Sequence, residues 1–308
     1  MLCIIALIFF AFLGIFSATH RALAKEALDC VLRRITLRPC NTGFNEKIKG
    51  RIIGKLLNRS VLAARVFNKH FELISWIFII LSLTSAFYVV RGGYNYYLYG
   101  SCNGLNQSGF CVFDPVGGNN KVSPVNSGIC PIHQDAKKTI TLAGLDLTQF
   151  PQKIFGSKNQ VVFVGCYNCD YSRKTYPLIQ KLINKNKADF TFIHIPAKEK
   201  TNYVSDYVYC LYKEDQEKFW SFNDNLFASD KKDVESKDYL NQLAGSLGFN
   251  MTKLQQCVLS DETKNVVSQQ FEQIQATGIY GTPTIFINGE VLVGPKPYRV
   301  YERMLKNN

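Results

Sequence analysis

With 308 residues and 46% hydrophobic side chains, the chain has ample apolar material for one large or two small domains. Its formal charge of +12 does not mark a nucleic-acid binder, because the charge is concentrated in one place. Between His20 and His70 there are 12 lysines and arginines against three acids, +9 in all, and no aromatic-basic recognition motif accompanies them.

Two uncharged runs flank that basic segment, Leu2 to Thr19 and Leu73 to Val90. Each is 18 residues long, close to the roughly 20 apolar residues that a bilayer crossing needs. Residues 1–19 and 71–90 are therefore expected as two transmembrane helices. Loops rich in Lys and Arg stay on the cytoplasmic side, so residues 20–70 are expected in the cytoplasm, and both Met1 and everything after Val90 outside it. A cleaved signal peptide ending near Ala22-Leu23-Ala24 is the competing reading of the first run. It is opposed by the absence of Lys or Arg ahead of the run and by Arg21 and Lys25 behind it. Within the loop, Ile48, Ile52, Ile53, Leu56, Leu57, Val61, Leu62, Val66 and Phe67 recur at helical spacing among basic residues. That pattern fits an amphipathic helix lying on the inner membrane surface, or a helical connector packed on partner protein.

The cysteines divide by this topology. Cys3, Cys30 and Cys40 are expected to be reduced thiols. Outside lie Cys102, Cys111, Cys130, Cys166, Cys169, Cys210 and Cys257, where disulfides persist, and the odd number leaves at least one without an internal partner. After an aromatic belt at Tyr94, Tyr96, Tyr97 and Tyr99, residues 91–138 read as a linker rich in Gly, Asn, Ser and Pro. Cys102 and Cys111 can close a small loop there, and Cys130 can pair with either of them or stay apart. His133 has no metal-ligand cluster around it.

A folded domain is expected over residues 139–308. Ile140, Leu142, Leu145 and Leu147 suggest a first strand and turn. Val161 to Val164 form a second strand, and the pair Cys166-Tyr167-Asn168-Cys169 follows where a helix should begin. A helix N-terminus carries partial positive charge and unpaired N–H groups, so a thiol there ionises readily to the form that attacks disulfides. The segment Asp189 to Pro196 supplies a further strand and completes a βαβ unit with a right-handed crossover; His194 at its end reads as a partly buried strand histidine. Residues 203–276 are helical in period and nearly free of Gly and Pro, an inserted helical subdomain in which Cys210 and Cys257 are candidates for a stapling disulfide or for two separate buried thiols. Pro283 precedes a strand from Thr284 to Ile287, Asn288-Gly289 turns into Val291-Leu292-Val293, and a closing helix runs from Pro297 to Lys306. Zinc would need four ligands, and no second close Cys or His pair supplies them, so neither metal nor cofactor is expected.

The strand-cysteine-helix unit, KFWSFNDNLFA at 218–228, LQQCVLS at 254–260 and GTPTIFING at 281–289 together resemble the DsbA family of thioredoxin-fold thiol-disulfide oxidoreductases. The resemblance covers residues 139–308 and implies an α/β thioredoxin fold with the helical insert, here preceded by the two membrane helices. It implies a cis proline at Pro283 beside the reactive cysteines, with Thr282 and Pro283 binding the substrate chain through backbone hydrogen bonds. Tyr167 and Asn168, between the cysteines, are further candidates for substrate contact. The chain departs from the family in register. Cys169 occupies the place of the family's reactive cysteine, Ser172 that of its second cysteine, and Phe163 that of a buried glutamate.

Three chemistries are compatible with that register. Cys169 attacks and Cys166 resolves, or the order is reversed, or Cys169 acts alone with Ser172 as a hydrogen-bond donor. The helix position favours the first. The expected function is disulfide formation in protein substrates at the membrane, with a separate membrane redox partner recycling the pair. Disulfide reduction or isomerisation would use the same residues. A redox-inert thioredoxin-fold binding or chaperone module is the alternative, because fold alone does not establish activity.

Overall fold

The structure, a computed structural model, describes residues 25–26, 28–29, 32–33, 44–58, 60–107, 109–124, 139–196 and 201–307. The first apolar run, Cys3, Cys30, Cys40, Cys130 and His133 lie outside the described residues. The chain divides into two compact units, Met1–Val90 and Arg91–Asn308.

In the first unit the expected single amphipathic helix is two. Helix α1, Phe44–Leu57, ends at a turn, and α2, Val61–Lys69, restarts with Ser60 accepting a hydrogen bond from the Ala63 N–H. Leu57, Val61, Leu62 and Val66 are all exposed. Helix α3, Phe71–Tyr99, carries the second apolar run through Val90 and continues nine residues beyond it, so the tyrosines at 94–99 are helical. Counted over the described residues alone, no helix is long and apolar enough to cross a membrane.

The second unit is built on a five-stranded sheet: β2 (Gln152–Lys153), β3 (Gln160–Gly165), β4 (Asp189–His194), β6 (Thr284–Ile287) and β7 (Glu290–Val293), in the order β2-β4-β3-β6-β7. Strands β3 and β4 are parallel, joined by helix α4 (Asp170–Asn186), and every other pairing is antiparallel. A separate two-residue bridge joins β1 (Ser123–Pro124) to β5 (Gly281–Thr282). The segment at 140–147 is not the strand its spacing suggests. Its residues run without regular structure into a short 3-10 turn, Leu147–Gln149, while Leu145 and Phe150 seal one face of the sheet.

Because strand side chains alternate, β3 feeds both faces. Val162 and Val164 join Ile193, Phe286 and Ile274 on one side, and Val161 and Phe163 join Phe190, Phe192 and Ile285 on the other. Helix α4 lies on the second side, burying Ser172, Thr175, Tyr176, Ile179, Leu182 and Ile183 at helical spacing. Also on that side is the insert, α5 (Tyr203–Glu214), α6 (Gln216–Ala228), the short α7 (Lys231–Val234), α8 (Lys237–Ser246) and α9 (Met251–Leu259). Helix α10 (Asp261–Ala276) returns the chain to the first side through Ile274, and α11 (Tyr298–Lys306) closes the domain. Cys210 on α5 and Cys257 on α9 are joined at 2.04 Å.

Residues 91–124, read from composition as a linker, are folded onto this domain. Cys102 and Cys111 are joined at 2.06 Å. Asn106 completes the edge of β7 as a strand would, donating to the Val291 carbonyl at 2.8 Å and accepting from the Val293 N–H at 2.8 Å. Arg299 and Arg303 of α11 donate to the last carbonyls of α3, at Tyr96, Tyr97 and Leu98, the first of which also accepts from the Gly100 N–H.

Candidate active site

Strand β3 ends at Gly165, and the chain turns through Cys166, Tyr167 and Asn168 before α4 begins. Cys169 is the N-cap of α4, with its N–H donating to the Cys166 carbonyl at 3.2 Å. Neither cysteine is in a disulfide, and both are buried, 1% and 3% exposed. The Thr282-Pro283 bond is cis, and it sets the Thr282 hydroxyl 3.5 Å from the Cys169 sulfur. Sequence and structure therefore agree on one constellation: two cysteines at a strand-to-helix junction, facing a cis proline from the other end of the domain.

The Cys169 thiol is depressed to about 7. A hydrogen bond from Cys166 is the largest cause, burial opposes it, and hydrogen bonds from Thr282 and Ser123 and the nearby Lys231 ammonium add to it. Cys169 is thus poised to be the thiolate of the pair and Cys166 its donor. The Ser172 hydroxyl accepts from the Cys166 N–H at 3.2 Å and fixes the loop that carries Cys166.

Tyr167 and Asn168, the candidates for substrate contact between the cysteines, are turned into the domain. Tyr167 is fully buried, its ring against Phe227 at 4.6 Å and His194 at 4.8 Å, and its hydroxyl donates to Asn223 at 2.6 Å. Asn168 is 7% exposed and donates to Glu235 at 2.6 Å. The reason is that the two residues between the cysteines sit before the helix, in the turn, and the aromatic insert receives them. Asn223 goes on to donate to the Tyr176 hydroxyl at 2.5 Å, and that hydroxyl donates to Asp224. This polar chain beneath the cysteines escaped sequence reasoning. Its only signal was an Asn-Asp pair inside an otherwise aromatic helix. Phe163 is fully buried and lies against Tyr176, Phe192 and Phe227, so the polar chain is bordered by aromatic rings.

His194 is buried, 2.9 Å from the Ser205 hydroxyl, and burial holds its pKa down at about 3. It stays neutral at any working pH, with no catalytic partner. The consequence is for stability. An unfolded chain takes up a proton on this imidazole below about pH 6.5, whereas the folded one does not until about pH 3. Stability is therefore complete above that window and falls across it with acid, by at most about 1.4 kcal/mol per pH unit. Urea midpoints recorded from pH 7 to pH 4 should show this slope, and His194→Gln should flatten it. An unchanged slope in the variant refutes the assignment.

Among the described residues no group of three His, Cys, Asp or Glu is arranged to hold a metal ion. What the arrangement can do is thiol-disulfide exchange: one activated thiolate, one resolving thiol and an adjacent backbone edge for an extended chain. That defines the class, a thioredoxin fold with a paired-cysteine exchange site. Residues 159–307 match the family model described as Thioredoxin. Among curated proteins, the disulfide bond formation protein D of Bacillus subtilis is 29% identical over 143 residues, 43% of this chain and 64% of its own length. A probable disulfide bond formation protein D of Bacillus anthracis is 28% identical over 120 residues, 37% of this chain and 55% of its own. The chain thus spans less than two thirds of these relatives. Among solved structures, oxidised BdbD of Bacillus subtilis aligns with a TM-score of 0.44 at 24% identity, covering 52% of this chain and 95% of that one. The thiol-disulfide exchange protein α-DsbA2 of Wolbachia pipientis aligns at 0.47 with 18% identity, covering 53% and 89%. Over residues 159–307, just under half of the chain, the sequence is thus similar to the thioredoxin family.

Proposed function

We propose that the chain is a membrane-held thiol-disulfide oxidoreductase that acts on protein substrates through Cys166 and Cys169. The observation that carries this reading is Cys169 itself: a helix N-cap thiol depressed to about 7, hydrogen-bonded by Cys166 and facing the cis proline. In the oxidising direction the pair starts as a disulfide. A substrate thiolate attacks the Cys169 sulfur, a mixed disulfide forms, and Cys166 leaves as a thiolate. A second substrate thiolate then attacks the substrate's own sulfur and expels Cys169, a good leaving group because its thiolate is stabilised. The substrate has lost two electrons and the pair has gained them. A separate membrane redox partner would return the pair to its disulfide. Reduction and isomerisation run the same steps from the reduced pair.

Membrane attachment is supported by the uncharged run Leu73–Val90 within one continuous helix, by its exposed Leu73, Ile77, Ile80, Leu81, Leu83 and Phe87, and by the basic segment before it. At about 1.5 Å per residue, 18 residues span about 27 Å, nearly the hydrocarbon thickness of a bilayer. In this reading the domain after Val90 faces away from the cytoplasm and residues 20–70 lie inside it. Labelling of Cys30 and Cys40 in intact cells by a membrane-impermeant thiol reagent would overturn that orientation.

The function itself is tested by trapping. Full-length Cys166→Ser is expected to accumulate mixed disulfides with substrate proteins on non-reducing gels, and Cys169→Ser to accumulate none. No adducts from either variant, together with no insulin reduction by the wild-type chain, would leave a redox-inert binding module as the reading.

A further inference from the structure

Cys166 and Cys169 are 1% and 3% exposed, and a segment of the chain's own lies beside Cys169 on the strand that carries Thr282. Just upstream of the domain, residues 119–124 cross from the edge of β7 to the cysteines. The crossing is anchored by Lys296, a lysine only 2% exposed, whose ammonium donates to the Asn119 carbonyl at 2.8 Å and the Val293 carbonyl at 2.9 Å and also bonds the Asn120 side chain. Asn119 is tied in turn to the Gly100 carbonyl at 3.0 Å and by its N–H to Asp114 at 2.9 Å. The chain then passes so near the sheet that two residues beneath it have to be glycine. A Cβ on Gly294 would sit 2.8 Å from the Asn120 backbone, and one on Gly281 would sit 2.5 Å from the Val122 side chain and 3.1 Å from the Ser123 carbonyl. At its end Ser123 pairs with Thr282 and Pro124 with Gly281, antiparallel, on the strand that leads into the cis proline. Ser123 thus stands opposite Thr282, whose hydroxyl is 3.5 Å from the Cys169 sulfur, and its side chain is among the groups that hold the Cys169 thiol down.

An extended segment, strand-paired beside the cis proline, with a two-atom side chain aimed at the attacking sulfur, has the geometry of a bound substrate. Serine differs from cysteine there only in lacking the sulfur that could react. We propose that Val122-Ser123-Pro124 is a built-in substrate mimic: it occupies the substrate's backbone edge at Gly281 and Thr282, with Ser123 in the place of the substrate's reacting cysteine. This rests on the oxidoreductase reading and adds to it the register, direction and competitor of the substrate. The incoming chain runs antiparallel to 281–282, puts a cysteine opposite Thr282, and has to displace the mimic first. The residue ahead of that cysteine lies over Gly281, where Val122 lies now.

Converting the mimic into a substrate tests this directly. In full-length Ser123→Cys, with the pair first oxidised by oxidised glutathione, the introduced thiolate should attack the Cys169 sulfur. A bond forms between position 123 and Cys169, Cys166 leaves as a thiolate, and no net oxidation occurs. After acid quench and proteolysis, mass spectrometry should find this linkage in more than half of the chains, against a few per cent for a linkage to a control thiol from Ser246→Cys on the exposed end of α8. Lys296→Met, which loosens the anchor without touching the cysteines, should raise kcat/KM roughly tenfold for a nonapeptide with one central cysteine. Absence of the 123-169 linkage in an oxidised variant that still exchanges with insulin would overturn the mimic, as would an unchanged peptide kcat/KM in Lys296→Met when hydrogen exchange shows 119–124 released. If instead neither wild type nor variants exchange with insulin or peptide, the oxidoreductase reading is what fails.

Discussion

Replacing Cys169 with serine should reduce insulin turnover by roughly a thousandfold or more, since the activated thiolate of the pair is then gone. The Cys166→Ser chain should behave differently. It keeps the attacking sulfur, completes one exchange and stalls as a mixed disulfide, so its first turnover survives and its steady state does not. The asymmetry follows from position: Cys169 caps α4, while Cys166 lies in the turn before it and donates to it. Alkylation by iodoacetamide as a function of pH separates the two without any substrate. In the reduced wild type the fast-reacting site should titrate with a midpoint near 7, its rate rising with pH as the thiolate forms. In Cys166→Ala the midpoint should move up, because the largest cause of the depression is removed. A midpoint indifferent to Cys166, or a dominant fast site at Cys166, would reverse the assigned order.

The second large effect concerns the insert. Removing the Cys210–Cys257 link by a double alanine substitution should cost about 4 kcal/mol, the chain-entropy value for a loop of 47 residues. For a domain of this size that is a fall in Tm of roughly 10 °C. Both sulfurs are packed against Thr263, at 3.5 and 3.4 Å, so the two helices and the start of α10 are held at one point. Activity should fall as well, because α6 of the same insert brings Asn223 and Phe227 onto Tyr167. Calorimetry that finds a loss below about 3 °C would show that packing alone fixes the insert.

The elements legible in the sequence were those with a strong local period or a motif tied to geometry. The β3 run, the helices of the insert, the Asn288-Gly289 hairpin and the cysteine spacing all declare themselves within a dozen residues. Residues 91–124 do not. They are rich in Gly, Asn and Ser and carry no apolar period, yet they fold because their polar side chains meet backbone groups from distant positions: Asn106 with Val291 and Val293, Lys296 with Asn119. No window of neighbouring residues contains both halves of such a bond. The surroundings of Tyr167 are hidden from the sequence for a related reason. A residue between two reactive cysteines invites a substrate role, but the partners that draw it inward, Asn223, Phe227 and His194, are supplied by the insert and by β4. The apolar residues at 140–147 fill one face of the sheet without pairing to it, a distinction that composition alone does not carry.

The arginines of α11 have a bearing on the order in which this molecule assembles. The carbonyls they cap, at Tyr96, Tyr97 and Leu98, belong to residues made some two hundred positions earlier. The same holds for the anchor between Asn119 and Lys296 and for the bridge between Ser123 and Thr282, each spanning more than 150 residues. Contacts of such long range form late, after the loop between them has been closed by other structure. Until residues 281–303 have been made, the segment at 119–124 lacks both its anchor at Lys296 and its strand partner at Thr282, and the cysteine turn lacks the strand β6 and the Thr282-Pro283 unit that complete its site, so site and covering segment are finished by the same late stretch of chain.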